Sequence, residues 1–258
     1  MESAAFELGL FALCFLVLIA FFAGLIDSVA GGGGLLAVPA LLLVGLPPHM
    51  ALGTNKFMGT MGTTASFITY AKNGAVVWRV AAIGAVFSFL GSAFGTDTAL
   101  RIDNAVLGKV ILVLLPIAAL ITFMPKRQNA PEKPLTPLAL YVFTPFVCTF
   151  IGFYDGFFGP GTGSFFLLAL HLALGLGLVA ASGTAKAFNL ASNISSLTVF
   201  LLSAKVFWLA ALPMAAASMA GNILGSRLAL RKGPGLIRKM LLISLALLFA
   251  TLVWRYYG

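Results

Sequence analysis

This sequence carries little charge. Of its 258 residues 9% are charged, 16 of them basic and 7 acidic. A soluble domain is about a quarter charged, and so few charges cannot coat a chain of 27.0 kDa, which excludes a soluble fold. Cysteine is nearly missing: Cys14 and Cys148 are the two, and both lie inside apolar runs. Thiols so placed face lipid or pack against neighbours, and supply neither a disulfide framework nor a metal site. The two histidines, His49 and His171, have no cysteine or carboxylate partners at metal spacing, so no metal is expected. His49, beside Pro47 and Pro48, reads as structural. The opening MESAAFE has no base ahead of the first apolar run, unlike the positive start of a cleaved signal peptide.

What is present is hydrocarbon: 60% of residues are apolar, including 23 phenylalanines, and mean hydropathy is +1.06. Disordered, collagen-like and disulfide-rich classes do not have this composition. An all-α polytopic membrane protein does. The formal net charge of +9 might suggest nucleic acid in a soluble chain. Here the bases sit in short loops, where they orient a protein in the bilayer, and no nucleic-acid partner is expected. Charge-free stretches mark spans at 8–26, 57–71, 80–96, 110–125, 135–154, 187–204, 206–226 and 240–254. Two further uncharged stretches, 28–55 and 156–185, are broken by glycines and prolines and predict short helices at 35–44 and 164–174.

The hydrophilic linker KRQNAPEKP, 126–134, divides two halves that resemble each other. At an offset of 128, Gly24, Asp27, Gly31 and Gly33 meet Gly152, Asp155, Gly159 and Gly161. At an offset of 130, Gly53, Thr54, Lys56, Ser66 and Trp78 meet Gly183, Thr184, Lys186, Ser196 and Trp208, and Gly91, Gly95 and Arg101 meet Gly221, Gly225 and Arg231. One register kept across so many polar and glycine positions signals an internal duplication. The organisation expected is repeat 1 over 1–125, a cytoplasmic linker over 126–134 and repeat 2 over 135–258. If the broken segments cross, each half has five segments and the second half is inverted. Lys72, Arg79, Lys126, Arg127, Lys133, Arg227, Arg231, Lys232, Arg238 and Lys239 then fall on one side, and Arg101, Lys109, Lys205 and Arg255 on the other. If the segments are re-entrant, in a four-plus-four arrangement, the same bases divide evenly. The positive-inside rule favours five plus five, inverted, with the linker in the cytoplasm.

Asp27 and Asp155 are the only acids within apolar segments, and they are repeat mates. Ionisable groups at depth are costly and generally functional; the plainer alternative is that each caps the helix entering its glycine-rich break. Gly31, Gly33, Gly159 and Gly161 follow closely, where a broken helix exposes backbone to a cavity or a substrate. Lys56 and Lys186 recur within Gly53-Thr54-Asn55-Lys56 and Gly183-Thr184-Ala185-Lys186. Threonine, a helix amino terminus and an ammonium together suit an anion; the alternative is a lysine snorkelling to the interface. Asn189 and Asn193 share a helical face and either bond neighbouring helices or line a pore. Gly91, Gly95, Gly221 and Gly225 form G-x-x-x-G spacings that read as close helix packing. The run GGGGLL lacks the Lys-Ser/Thr of a phosphate loop and fits no dinucleotide fingerprint, so neither an enzyme nor a cofactor is indicated.

The halves GLIDSVAGGGGLLAVPALLLVGLPPHMALGTNKF and GFYDGFFGPGTGSFFLLALHL with ASGTAKAFNLASNISSL resemble the TauE/SafE sulfite exporter family, also called the toluene-sulfonate uptake permease family, over essentially the whole chain. The resemblance implies transport of sulfite, sulfonates or related sulfur-containing anions across the bacterial cytoplasmic membrane, and eight spans are often assigned to this family. The expectation is a secondary transporter acting in export, with Thr54, Asn55, Lys56, Thr184, Lys186, Asn189 and Asn193 as substrate-binding residues and Asp27 and Asp155 as coupling groups. The four charges sum to zero, and protonating both aspartates would leave +2 for a dianion, so proton coupling is expected. An anion channel and a non-transporting membrane scaffold are the alternatives.

Overall fold

The structure is a computed structural model, described for residues 8–123 and 135–232. The amino-terminal segment 1–7, the linker 126–134, the bases Arg238, Lys239 and Arg255 and the expected span 240–254 lie outside the described residues. The elements are α1 (Leu10–Ala30), α2 (Gly34–Leu43), α3 (Pro48–Lys72), α4 (Trp78–Leu100), α5 (Asn104–Phe123), α6 (Thr144–Phe157), α7 (Thr162–Leu168), α8 (Leu178–Leu202) and α9 (Trp208–Lys232). A wide π turn, Ala139–Phe143, leads into α6, and another, Ala169–Ala173, continues α7. The described residues contain helices and no strands, as an all-α membrane protein requires.

Four helical stretches are long and apolar enough to cross a bilayer: Leu10–Val29, Trp78–Leu100, Ala139–Phe157 and Trp208–Arg231. Helices α3 and α8 are longer, 25 residues each, and at ~1.5 Å per residue they also exceed a hydrocarbon core of about 30 Å. Their threonines, serines and asparagines lower their hydropathy because these residues face the protein interior; Thr54, Asn55, Thr63, Ser66, Thr184, Asn189, Ser192 and Asn193 are all buried. Both helices start earlier than the charge-free stretches at 57 and 187 indicate. Pro48 takes the first helical position of α3, where its missing N–H costs nothing. The lysines therefore sit about two turns inside their helices rather than at amino termini.

Each half folds across the other. Helix α1 packs on α9 and α6 on α4, while α3 lies against α9 and α8 against α4. The G-x-x-x-G residues make these crossings close: a Cβ on Gly95 would lie 2.0 Å from the Phe153 carbonyl oxygen, and one on Gly221 2.0 Å from that of Phe21. Helices α3 and α8 run antiparallel. The backbone N–H of Phe207, after α8, donates to Thr54 Oγ1 near the start of α3 at 3.0 Å. Reciprocally, that of Val77, after α3, donates to Thr184 Oγ1 near the start of α8 at 3.0 Å. Helices α2 and α7 are too short to span, yet they return the chain toward the end where α1 and α6 begin. Leu41 and Leu46 join the core cluster of Leu16, and Leu170 and Leu174 that of Leu140. This arrangement gathers Lys72, Arg227 and Arg231 around one cavity at one end. Arg101 belongs to the other end, where His49 at the start of α3 bonds Ala99 and Asn104.

Two outcomes are expected. Gly95→Val should lower stability by about 1–3 kcal/mol, the usual cost of overpacking, in thermal unfolding in detergent. Gly9→Ala, with no atom within 4 Å of the new Cβ, should not. In a background free of Cys14 and Cys148, cysteine at Ser203 should react with an impermeant thiol reagent in intact cells, and cysteine at its repeat mate Asn73 should not. Equal labelling of both would contradict the inverted arrangement.

Candidate functional site

The glycine-rich breaks after α1 and α6 meet at the centre. Gly31 has a left-handed backbone, φ 72°, and a Cβ there would lie 2.2 Å from Gly163 of the opposite half. Only glycine fits both demands. The Ser164 N–H then donates to the Gly31 carbonyl at 3.2 Å, tying one break to the other. Tyr154 Oη donates to the Pro160 carbonyl at 2.8 Å and holds the second break in shape.

Across these breaks run two ion pairs, each joining the halves. Lys56 Nζ of α3 lies 2.8 Å from Asp155 Oδ2 of α6, and Lys186 Nζ of α8 lies 2.7 Å from Asp27 Oδ2 of α1. Lys56 and Asp155 are 2% and 3% exposed at their side chains, whereas Asp27 is 17% exposed, so the second pair is the wetter. Lys56 also donates to Asn193 Oδ1 at 3.2 Å, and Lys186 donates to the Asp27 main-chain carbonyl. The Lys56 to Asp155 contact is close but lies off hydrogen-bond alignment, leaving Asp155 Oδ2 held by charge alone. Neither aspartate caps a helix: α2 and α7 begin without any side-chain cap. The snorkelling alternative for the lysines is equally absent from this geometry, since both ammonium groups point inward to carboxylates.

A polar cavity opens between the pairs. Asp27, Asn55, Lys56, Asp155, Asn189 and Asn193 line it, with Gly31, Gly33, Gly159 and Gly161. Its volume is about 30 Å³, room for two or three water-sized centres at roughly 10–15 Å³ each. Of the residues expected at the anion, Thr54, Thr184 and Lys186 are not in the lining. The GT-x-K motif has a different logic. Gly53 and Gly183 admit the carbonyls of Lys205 and Ala75, each 2.0 Å from where a Cβ would sit. Thr54 and Thr184 then accept an N–H of the same loop, and only the lysines turn to the centre. Lys186 stands behind Asp27 and orients it.

The sequence did not single out Ser218 and Asn222, which line the cavity from α9; Gly59 and Thr63 of α3, repeat counterparts of Asn189 and Asn193, line it too. The signal was present: Ser218, Asn222 and Ser226 recur every fourth residue along an apolar span, as do Ser88, Ser92 and Thr96. Such spacing puts them on one helical face. Asn222 Nδ2 donates to the Ser218 carbonyl at 3.0 Å, while its buried Oδ1 has no partner.

The pairs should be strongly coupled. Lys56→Ala is expected to cost about 3–5 kcal/mol by stranding Asp155 in the interior, and Lys56→Gln with Asp155→Asn should recover most of it in thermal unfolding. The same substitutions at Lys186 and Asp27 should cost less, because that carboxylate is partly exposed.

Comparison with known proteins agrees with this architecture. Residues 16–252 match the family described as "Sulfite exporter TauE/SafE". The chain is 39% identical to a "Probable membrane transporter protein" of Haemophilus influenzae over 249 residues, covering 96% of this chain and 97% of the relative. It is 39% identical to "Probable membrane transporter protein ORF9" of Sinorhizobium sp, covering 96% and 93%. It is 35% identical to "Probable membrane transporter protein YfcA" of Escherichia coli K12, covering 94% and 90%. No solved structure matches it. With helices that cross the bilayer, two charged pairs at its centre and this match over most of its length, the chain belongs to the TauE/SafE sulfite exporter family, as a multi-pass transporter of the bacterial inner membrane.

Proposed function

We propose that this protein is a secondary transporter that exports a small sulfur-containing oxyanion, bound between the two glycine breaks with Lys56 as its principal contact. The observation that carries the reading is a lysine at the wall of a buried polar cavity, ion-paired to a carboxylate from the other half of the chain. An arriving oxyanion competes with Asp155 for that ammonium, and Asn55, Asn189 and Asn193 offer amide donors around it. The volume of about 30 Å³ favours an anion the size of sulfite over an aryl sulfonate.

Charge sets the coupling. With all four groups ionised the site is neutral and a poor trap for a dianion. If Asp155 takes a proton as the anion takes Lys56, no carboxylate is left unpaired in the interior, which would be expensive. Anion affinity then rises as pH falls. An inside-negative potential already drives anions outward by ~2.3 kcal/mol per charge per 100 mV, so the proton serves occupancy of the site rather than the driving force. The halves 1–125 and 135–258 are, in this reading, inverted repeats that rock about the paired lysines. A channel would hold its pore open, whereas here ion pairs bridge the halves across the path.

The test is anion binding and sulfite efflux in proteoliposomes. Lys56→Gln should weaken binding by about 1.5–3 kcal/mol, the range for hydrogen bonds to charged groups, or roughly ten- to a hundredfold. For sulfate or thiosulfate, whose charge is fixed across neutral pH, wild-type affinity should rise toward lower pH and Asp155→Asn should lose that slope. Unchanged binding in Lys56→Gln would refute the site, and single-channel currents would favour the channel.

A further inference from the structure

The cavity at the Lys72 end of the molecule is larger than the central one. About 600 Å³ lies between the carboxy-terminal halves of α3 and α9, walled by Thr64, Thr69, Lys72, Asn73, Arg227 and Arg231 with apolar neighbours. Among the described residues no carboxylate contributes to this wall. Arg227 and Arg231 are four residues apart on α9 and so share a face, where two guanidinium forks can hold one oxyanion from the same side. Lys72 faces them from α3 with the amide of Asn73 beside it.

Cations at one end of a membrane protein have an ordinary explanation in the positive-inside rule. That rule sets the side on which cations fall, but it does not ask for three of them to wall one cavity. At an offset of 130 the counterparts of Lys72, Arg227 and Arg231 are Leu202, Asp97 and Arg101. There Asp97 holds Arg101 at 2.7 Å, so the one remaining cation is already neutralised. The repeat therefore folds without a cluster of free cations at this place.

A second observation concerns the seam. Thr63, Ser218 and Asn222 line the central cavity, and their chain neighbours Thr64, Met219 and Ile223 line the outer one. One helix pair thus carries both. The equivalent seam between α8 and α4 is closed. Ser92 Oγ and Ser196 Oγ lie 2.6 Å apart, Thr96 Oγ1 donates to Ser196 Oγ at 2.9 Å, and Ser92 and Ser88 donate to α8 carbonyls. On the α3 side Asn222 stands where Ser92 does, Gly62 where Ser192 does and Gly59 where Asn189 does. There a Cβ on Gly62 would lie 2.4 Å from Asn222 Nδ2 and Ser218 Oγ, so this seam is held by close packing instead of hydroxyl bonds, and the Asn222 Oδ1 acceptor is buried without a partner.

We propose that the basic cavity between α3 and α9 is a second, outer binding site for a doubly charged oxyanion, which concentrates the anion at the mouth of the seam leading to the central cavity. The outer site stands on its own charges; its role as an antechamber rests on the transport reading above. A lipid phosphate offers similar chemistry, but a wall built from the chain neighbours of residues that line the central cavity favours an anion from solution.

The experiment is equilibrium binding of radiolabelled sulfate to the full chain in phosphatidylcholine nanodiscs at low salt. Lys56→Gln with Asp155→Asn serves as the background, which removes the central ammonium and leaves no stranded charge. That background should still bind sulfate. Adding Arg227→Gln and Arg231→Gln should weaken the remaining binding at least tenfold, Arg227→Lys with Arg231→Lys should keep most of it, and Lys109→Gln on α5 should change nothing. No binding in the background, or equal binding with and without the arginines, would overturn the proposal. So would phosphatidylglycerol retained through these arginines in native mass spectrometry, if phosphatidylcholine discs take up no sulfate. Failure of the central site shows separately, as efflux that survives Lys56→Gln while the outer site still binds.

Discussion

Two lysines reach across the duplication to two aspartates, and the rest of the molecule is arranged to let them. A carboxylate and an ammonium deep in a membrane are each expensive alone and tolerable together. Because each pair takes one member from each half, neither half can be satisfied by itself. The glycines that let α1 sink against α9 and α6 against α4 bring the aspartates to the right depth. The glycines and threonines of the GT-x-K motifs anchor α3 and α8 to the loops of the opposite half, which fixes the lysines. The breaks after α1 and α6 end those helices just beyond the carboxylates, so backbone and side-chain polarity converge on one small volume.

Much of this was legible in the chain itself. The offset of 128 to 130 residues identified the aspartates and lysines as mates and the glycine runs as breaks, since period and spacing survive in sequence. The G-x-x-x-G pairs declared close crossings, and they are there. What sequence could not supply was partner identity across the duplication. Nothing local says that Lys56 faces Asp155 rather than Asp27. Thr54 looked like an anion ligand because the N–H it accepts belongs to Phe207, far along the chain. The starts of α3 and α8 were placed late for a related reason. Absence of charge marks lipid exposure, and a lysine paired in the interior does not end a helix.

The duplication also makes departures from symmetry informative. Both members of the dry Lys56 pair border the cavity, whereas in the other pair only the partly exposed Asp27 does and Lys186 stands behind it. The seam between α4 and α8 is zipped by serines and a threonine, while its mate between α3 and α9 is lined by Gly59, Gly62 and an asparagine with an idle acceptor. For the proposed carrier, unequal seams would let one stay closed while the other yields. On the proposed reading the paired charges would act as the latch: an anion that takes the lysine would loosen one bond between the halves and leave the freed aspartate to take a proton.

The most direct measurement of that exchange is infrared difference spectroscopy of the reconstituted protein on addition of sulfite. The account calls for a new protonated-carboxyl band in the wild type that is absent from Asp155→Asn and retained in Asp27→Asn. A sulfite-induced spectrum with no such band, obtained while the anion is demonstrably bound, would contradict it. Lys56 and Asp155 would then be a structural pair that substrate never parts.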